Sequence, residues 1–192
     1  MSEIILASSS PFRKALLERL QLTFKCISPN IDESTVPHES PDQLVTRLSL
    51  AKANEIAATE KNAIIIGSDQ VAVCENKVIG KPGNLEKAKE QLRFLSGKTV
   101  TFHTGLCVLN SQTNESQSDV IKFFVEFRAL SETMICNYLR KEPAFNCAGS
   151  FKSEALGAAL TNRMYGDDAT ALVGLPLITL VKMLEKTGVD II

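Results

Sequence analysis

Apolar positions along the chain fall into short unbroken runs separated by longer helical patterns. Ile4 to Ala7 is an apolar run without helical period and predicts a buried strand. Ser8-Ser9-Ser10-Pro11 follows, and Phe12 to Leu20 then places Leu16, Leu17 and Leu20 on one helical face. Ser10 stands where it can cap that helix, and Pro11 suits its first turn, where no backbone N–H is needed. Phe24 to Ser28 predicts a second strand. The polar loop from Pro29 to Glu39 contains Pro37, which breaks any regular element. Ser40 and Gln43 have the spacing of a capping box. The helix they open is expected to reach about Thr59 and to bury Leu44, Leu48, Ala51 and Ile56.

Ala63 to Gly67 is the clearest buried strand in the sequence, bounded by Ser68-Asp69. Val71 to Cys74 and Lys77 to Ile79 predict a hairpin turning at Glu75-Asn76. Asn84 caps a helix from Leu85 to Leu95, which Gly97 ends. Strands are expected over Val100 to Leu109 and Val120 to Phe127, with a polar turn from Ser111 to Ser118 between them. Ser131 caps a helix to about Arg140, and a loop rich in small residues runs from Ala148 to Ala159. Pro176 to Lys186 is the last helix, stopped by Gly188. Helices alternate with strands early and strands pair later, which predicts an α/β protein with a mixed sheet. Neither a linker nor a repeat divides it, so 1–192 reads as one structural unit.

Composition narrows the chemistry. With 44% hydrophobic and 22% charged residues the chain is an ordinary globular sequence, not a disordered one. Its formal charge of −1 gives no broad basic field for nucleic acid or a membrane surface, so any anion site must be local. Two histidines, His38 and His103, are too few for a multi-histidine metal cage, although one could serve as a base. The five cysteines include no C-x-x-C pair and read as reduced thiols. The first residues lack a basic segment before a long apolar run, and no later run reaches the roughly 20 residues needed to cross a bilayer. A cytoplasmic location is expected.

Two junctions offer candidate chemistry. At Ser8-Ser9-Ser10-Pro11 the helix N-terminus presents unpaired N–H groups that suit phosphate, with Arg13 and Lys14 close behind. Ordinary capping with solvated Arg13 and Lys14 is the competing reading. Asp69 follows a buried strand and offers a carboxylate to a metal or to an attacking water, or simply a turn that bonds its own backbone. Asp32-Glu33 is a further carboxylate pair. Lys52, Lys81 and Lys152 complete a possible cationic set, with Lys81 made rigid by Gly80 and Pro82. Together with Arg13 and Lys14 they would offset a nucleoside triphosphate charge of roughly −4, if the fold brings them together.

In this order, Leu6 to Pro11 with Arg13, Asp32-Glu33, Ala51-Lys52-Ala53, Gly67-Ser68-Asp69-Gln70 and Gly80-Lys81-Pro82 resemble the Maf family of nucleoside triphosphate pyrophosphatases. The likeness continues through Ala148 to Glu154 and Val173-Gly174-Leu175-Pro176, covering nearly the whole chain. It implies an α/β fold of the inosine triphosphate pyrophosphatase-like (Maf/Ham1) type, a mixed twisted sheet flanked by helices with two lobes around a cleft. It further implies release of pyrophosphate from a nucleoside triphosphate with Mg²⁺, Mn²⁺ or a similar divalent cation, and a possible homodimer.

By that resemblance Asp69 accepts the proton of the attacking water, and Lys52 and Lys81 are catalytic. Ser8, Arg13, Lys14 and Lys152 bind substrate, and Glu33 with Asp69 holds the metal. Many Maf proteins act on dTTP and UTP and carry threonine after the aspartate and arginine after the proline. Gln70 and Phe12 stand there instead, and with Glu154 they resemble the branch that hydrolyses 7-methyl-GTP. Phe12 stands where tryptophan is expected, and Lys14 where a second arginine is. Hydrolysis of dTTP or UTP, general phosphatase activity, and a non-catalytic nucleotide-binding regulator of septum formation are the alternatives.

Overall fold

Helices and strands form where the capping and apolar signals place them. The structure, a computed structural model, describes residues 2–192. Its element order begins with β1 (Glu3–Ala7), α1 (Pro11–Glu18), β2 (Phe24–Ile27), α2 (Pro41–Ala57), β3 (Ala63–Cys74) and β4 (Lys77–Ile79). It continues with α3 (Leu85–Leu95), β5 (Thr99–Asn110), β6 (Glu115–Phe127), α4 (Glu132–Lys141), β7 (Thr161–Gly166), α5 (Ala169–Val173) and α6 (Leu177–Lys186). Ser10, Asn84 and Ser131 each accept a backbone N–H three residues on, and Ser40 with Gln43 forms the full capping box. The β3–β4 hairpin turns at Glu75 and Asn76, both at positive φ. Among the described residues no helix is long and apolar enough to cross a membrane.

The seven strands form one sheet in the order β2-β1-β3-β5-β6-β7, with β4 paired to β3. β1 runs parallel to β2 and β3; the pairs from β3 onward are antiparallel. The sheet is mixed, as the sequence predicts, but β3 is much longer than Ala63 to Gly67. Antiparallel pairing with β5 carries it on from Ile64 through Ser68, Asp69 and Gln70 to Val73. Asp69 therefore lies within a strand and not beyond its end. On the other edge of β3, β1 pairs as far as Ile66 and β4 begins at Ala72. Between them, Gly67 to Val71 has β5 on one side and, among the described residues, no strand on the other. This interruption opens a cleft in the middle of the sheet.

The core divides at the same place. On one side of it, Leu16, Leu17, Leu180 and Leu184 pack over Ile4, Leu6, Ile64 and Ile66, while Ala53 and Ile56 of α2 cover Ile5, Ile65 and Cys107 on the opposite face. On the other side, Leu92, Leu95, Ile135 and Leu139 of α3 and α4 pack on Ala72, Phe102, Val125 and Phe127. These two lobes share the long strands β3, β5 and β6.

Three further differences from expectation have local causes. β6 begins at Glu115, because main-chain pairing with β5 extends through its polar first half. β7 and α5 have weak apolar patterns; β7 forms by pairing to β6, and α5 by an Asp168 cap. On α2, Ala53 is buried and Ala51 only half-buried, because the sheet contacts the face carrying Ser49 and Ala53.

α2 lies very close to the sheet. A Cβ at Gly105 would stand 2.2 Å from the Val45 carbonyl oxygen, and one at Gly67 would stand 2.1 Å from that of Ser49. Both neighbours are helix backbone and cannot swing aside. Gly105→Ala should therefore destabilise the protein by about 1–3 kcal/mol, the usual cost of overpacking a core. Denaturant unfolding should show a lower midpoint at unchanged slope.

Candidate active site

The two glycines let α2 bring Lys52 down onto the open stretch of β3. Odd-numbered residues of β3 face α2 and even-numbered ones face away, following the strand period. Asp69 is on the α2 face, 7% exposed, and its Oδ1 accepts a hydrogen bond from Lys52 Nζ at 2.6 Å. The same Nζ lies 2.7 Å from Glu33 Oε1. Glu33 reaches in from the polar loop after β2, whereas its neighbour Asp32 turns back to accept from Ser34. Lys52 is itself only 6% exposed. A buried ammonium needs such partners, since an unpaired charge in that position costs several kcal/mol.

Partial burial pushes the Glu33 carboxyl upward, but Lys52, with Lys81 and Arg13 farther off, outweighs it and holds the group below its usual value. Burial likewise lowers the Arg13 pKa, while Asp69 and Glu33 draw it back up. The Arg13 guanidinium comes from α1, on the other face of the sheet. Arg13 and Lys52 thus meet the carboxylates from opposite sides of the gap in β3.

Arg13 is held by one backbone carbonyl. Its Nε donates to Gly174 O at 2.8 Å, and Ser68 Oγ lies 2.9 Å from the same oxygen. Gly174 ends α5 in a left-handed conformation that favours glycine. The turn around it is locked by Asp168, which accepts from Thr170 N and Ile178 N at 2.8 and 2.9 Å. Gln70, also on this side of β3, donates through Nε2 to Ala171 O at 2.7 Å and to Leu172 O at 3.1 Å. Its amide N–H groups are committed to holding α5. What it can offer a ligand is its amide oxygen.

The remaining expected residues take four separate positions. Ser8 is buried at the foot of α1, where its Oγ accepts from Ser10 N. Lys81 is exposed beside buried Pro82, and its charge acts on Glu33. Lys152 Nζ lies 5.6 Å from the Phe12 ring centroid, and Glu154 is exposed nearby. Lys14 does not join the cluster: it is exposed on α1, 3.8 Å from Glu18. His103 is engaged by Asp42, which also pairs with Lys122.

Sequence reasoning overlooked several supporting side chains. Gln91 of α3 donates to Gly80 O at 3.0 Å and accepts from buried Ser150 Oγ at 2.6 Å, tying the Lys81 loop to the Lys152 segment. Glu142 accepts from Lys152 Nζ at 2.8 Å. Asp168 and Thr104 secure α5. A lone glutamine or glutamate on an amphipathic helix carries no motif, and only the tertiary contact reveals it. Two surface cavities, of about 360 Å³ beside Asp119 and Lys182 and about 820 Å³ beside Val36 and Arg47, lie away from this cluster.

A family model described as Maf-like protein matches residues 3–187. The chain belongs to the Maf family. It is 50% identical over 192 residues to a protein of Colwellia psychrerythraea, covering 100% of this chain and 96% of that one. It is 51% identical to proteins of Methylobacillus flagellatus and Pseudomonas syringae pv. tomato, in each case with 100% of both chains covered. All three relatives bear the name 7-methyl-GTP pyrophosphatase. Among solved structures, a HAM1 protein from Coxiella burnetii is similar with a TM-score of 0.46 and 16% identity, over 66% of this chain and 73% of that one.

The Lys52 contacts predict a titration. Glu33 should ionise below the usual carboxylate range, and Lys52→Met should move it upward by removing its main partner. Because the folded value is depressed, the stability linked to Glu33 is present above the ordinary carboxylate pKa and lost as pH falls through the folded one. Side-chain carboxyl NMR titration of both proteins measures this; equal Glu33 values would discount the contact.

Proposed function

We propose that this Maf protein hydrolyses a nucleoside triphosphate between the α- and β-phosphates, releasing pyrophosphate, and that 7-methyl-GTP is its preferred substrate. The observation that carries the reaction class is the Lys52 contact with both Asp69 and Glu33 in the open gap of β3. The substrate reading draws on relatives at about 50% identity that bear that name, together with Phe12, Gln70 and Glu154 in this chain.

Asp69 Oδ1 is the proton acceptor for a water attacking the α-phosphorus, and Lys52 Nζ fixes its orientation. Arg13, Lys81 and the N-terminal N–H groups of α1 supply positive charge for the leaving pyrophosphate. Arg13 matters as a fork: with Nε committed to Gly174, its terminal nitrogens are left for phosphate oxygens. Phe12 offers an aromatic face for the base, worth about 0.5–2 kcal/mol with a cationic ring. Gln70 sets α5 and presents its amide oxygen, and Glu154 can accept from guanine N–H groups.

A divalent cation such as Mg²⁺ or Mn²⁺ belongs to the proposal. The chain fits one in a limited way: Glu33 and Asp69 supply hard carboxylate oxygens converging on one point, already occupied by a positive charge, Lys52 Nζ. No group of three or more acidic, histidine or cysteine side chains stands ready for a metal among the described residues. Such a cation would thus retain waters and take phosphate oxygens, as Mg²⁺ commonly does. Bound there, it would neutralise phosphate charge at the reacting centre.

Asp69→Asn should lower turnover by about 10²–10⁴, the usual contribution of a general base, with nucleotide affinity largely kept. Pyrophosphate and orthophosphate are assayed separately across a panel of triphosphates; faster turnover of dTTP or UTP than of 7-methyl-GTP removes the substrate claim. For the cation, Glu33→Gln should weaken Mn²⁺ binding read by electron paramagnetic resonance, without any turnover. Unchanged Mn²⁺ affinity would take Glu33 out of the metal site.

A further inference from the structure

The aromatic end of the cleft contains a carboxylate that belongs to none of the motifs. Glu142 closes α4, and its Oε1 accepts from Lys152 Nζ at 2.8 Å. The two side chains are 19% and 27% exposed, so the contact is shielded enough for its charges to matter to a neighbour. The hydroxyl of Tyr138, one turn earlier on α4, accepts from Lys152 N at 3.2 Å. One helix thus holds Lys152 at both its backbone and its ammonium.

The ammonium it holds faces Phe12 at 5.6 Å, within cation–π range of the ring. Glu142 and, more weakly, Glu154 act on that ammonium and raise its pKa, so Lys152 is cationic throughout the neutral range. Burial pushes the nearby Cys147 thiol up, which leaves it uncharged there, and Lys81 acts on both this segment and Glu33. Two carboxylates therefore act on the one ammonium that stands over the Phe12 ring. Without Glu142 that ammonium loses its hydrogen-bonded partner and is freed next to the ring. A free ammonium would compete for the negative ring face and repel any cationic base brought to it. A neutral base would feel little of this repulsion.

We propose that Glu142 is a specificity-determining residue, which by neutralising Lys152 beside Phe12 leaves the ring face free for a positively charged methylated purine and so selects it over its neutral parent. Glu142 acts through Lys152 as a positioning residue. The inference rests on the reading of this cleft as a nucleoside triphosphate site.

The test compares kcat/KM for 7-methyl-GTP and GTP in the wild type, Glu142→Gln and Glu142→Asp, with thermal unfolding measured on each protein. The ratio of the two substrates should fall about tenfold in Glu142→Gln and recover most of that in Glu142→Asp, a change of about 1.4 kcal/mol. A purely structural role would lower both substrates together, so an unchanged ratio overturns the proposal. Calorimetric affinities for 7-methyl-GMP and GMP give the same comparison independently of turnover. Should Glu142→Gln fail to fold, Lys152→Gln provides the complementary result: loss of the cation should raise the ratio, and a constant or lower ratio overturns the proposal. The wild-type substrate ranking judges the substrate reading separately, because the change in ratio has meaning whichever nucleotide the wild type prefers.

Discussion

The site depends on how closely helix α2 lies on the sheet. Gly67 and Gly105 present no side chain to the Ser49 and Val45 carbonyls, so helix backbone and strand are nearly in contact. At that depth Lys52 cannot reach bulk water, and Asp69 and Glu33 provide its compensation. The order of cause is from packing to chemistry. The glycines fix the height of α2, the height buries Lys52, and burial makes its two carboxylate partners necessary. Packing thus sets the positions of Lys52 and Asp69 before any ligand arrives, which favours charge stabilisation without reorganisation.

The second requirement is an interruption in the sheet. Pairing with β5 keeps β3 straight across Gly67 to Val71 while the partner edge is vacated by β1 and only later taken up by β4. Asp69 thereby has the precision of a strand residue beside an edge that carries no strand among the described residues. The open edge also admits groups from both faces, Lys52 from one and Arg13 from the other. Arg13 depends on the distant Gly174 carbonyl, 161 residues away in sequence. That contact explains why the otherwise unremarkable α5–α6 turn is locked by Asp168 and Gln70.

Much of this was legible in the residues, and the exceptions share a cause. Capping by Ser10, Ser40, Asn84 and Ser131, and the turn at Glu75-Asn76, are local effects of side chains on nearby backbone, so sequence reports them. The proximity of Arg13, Glu33, Lys52 and Asp69 followed from an ordered resemblance, since no local rule brings those segments together. What stayed illegible was decided by partners. Ser68-Asp69-Gln70 reads as the end of a strand until β5 is alongside, and β7 has five half-buried or exposed residues in a row before Gly166. Lys14 has the right composition and neighbours for an anion site, yet its helical phase turns it to Glu18.

The near-neutral total of −1 also has a spatial structure. Toward α1 and β3, the cations Arg13, Lys52 and Lys81 stand against the carboxylates Glu33 and Asp69. Beside Phe12, the ammonium of Lys152 is compensated by Glu142 and, more weakly, Glu154. Positive charge is thus in excess at one end of the cleft and neutralised beside the aromatic ring, a difference that is lost when only the total is counted. Such a gradient orients a molecule that is itself polarised, with a polyanionic tail and an electron-poor ring. A uniformly basic cleft would bind the tail as well, but would hold any nucleotide regardless of its base. Because charges a few ångströms apart interact strongly only where water is scarce, this discrimination depends on the partial burial of the contact between Lys152 and Glu142.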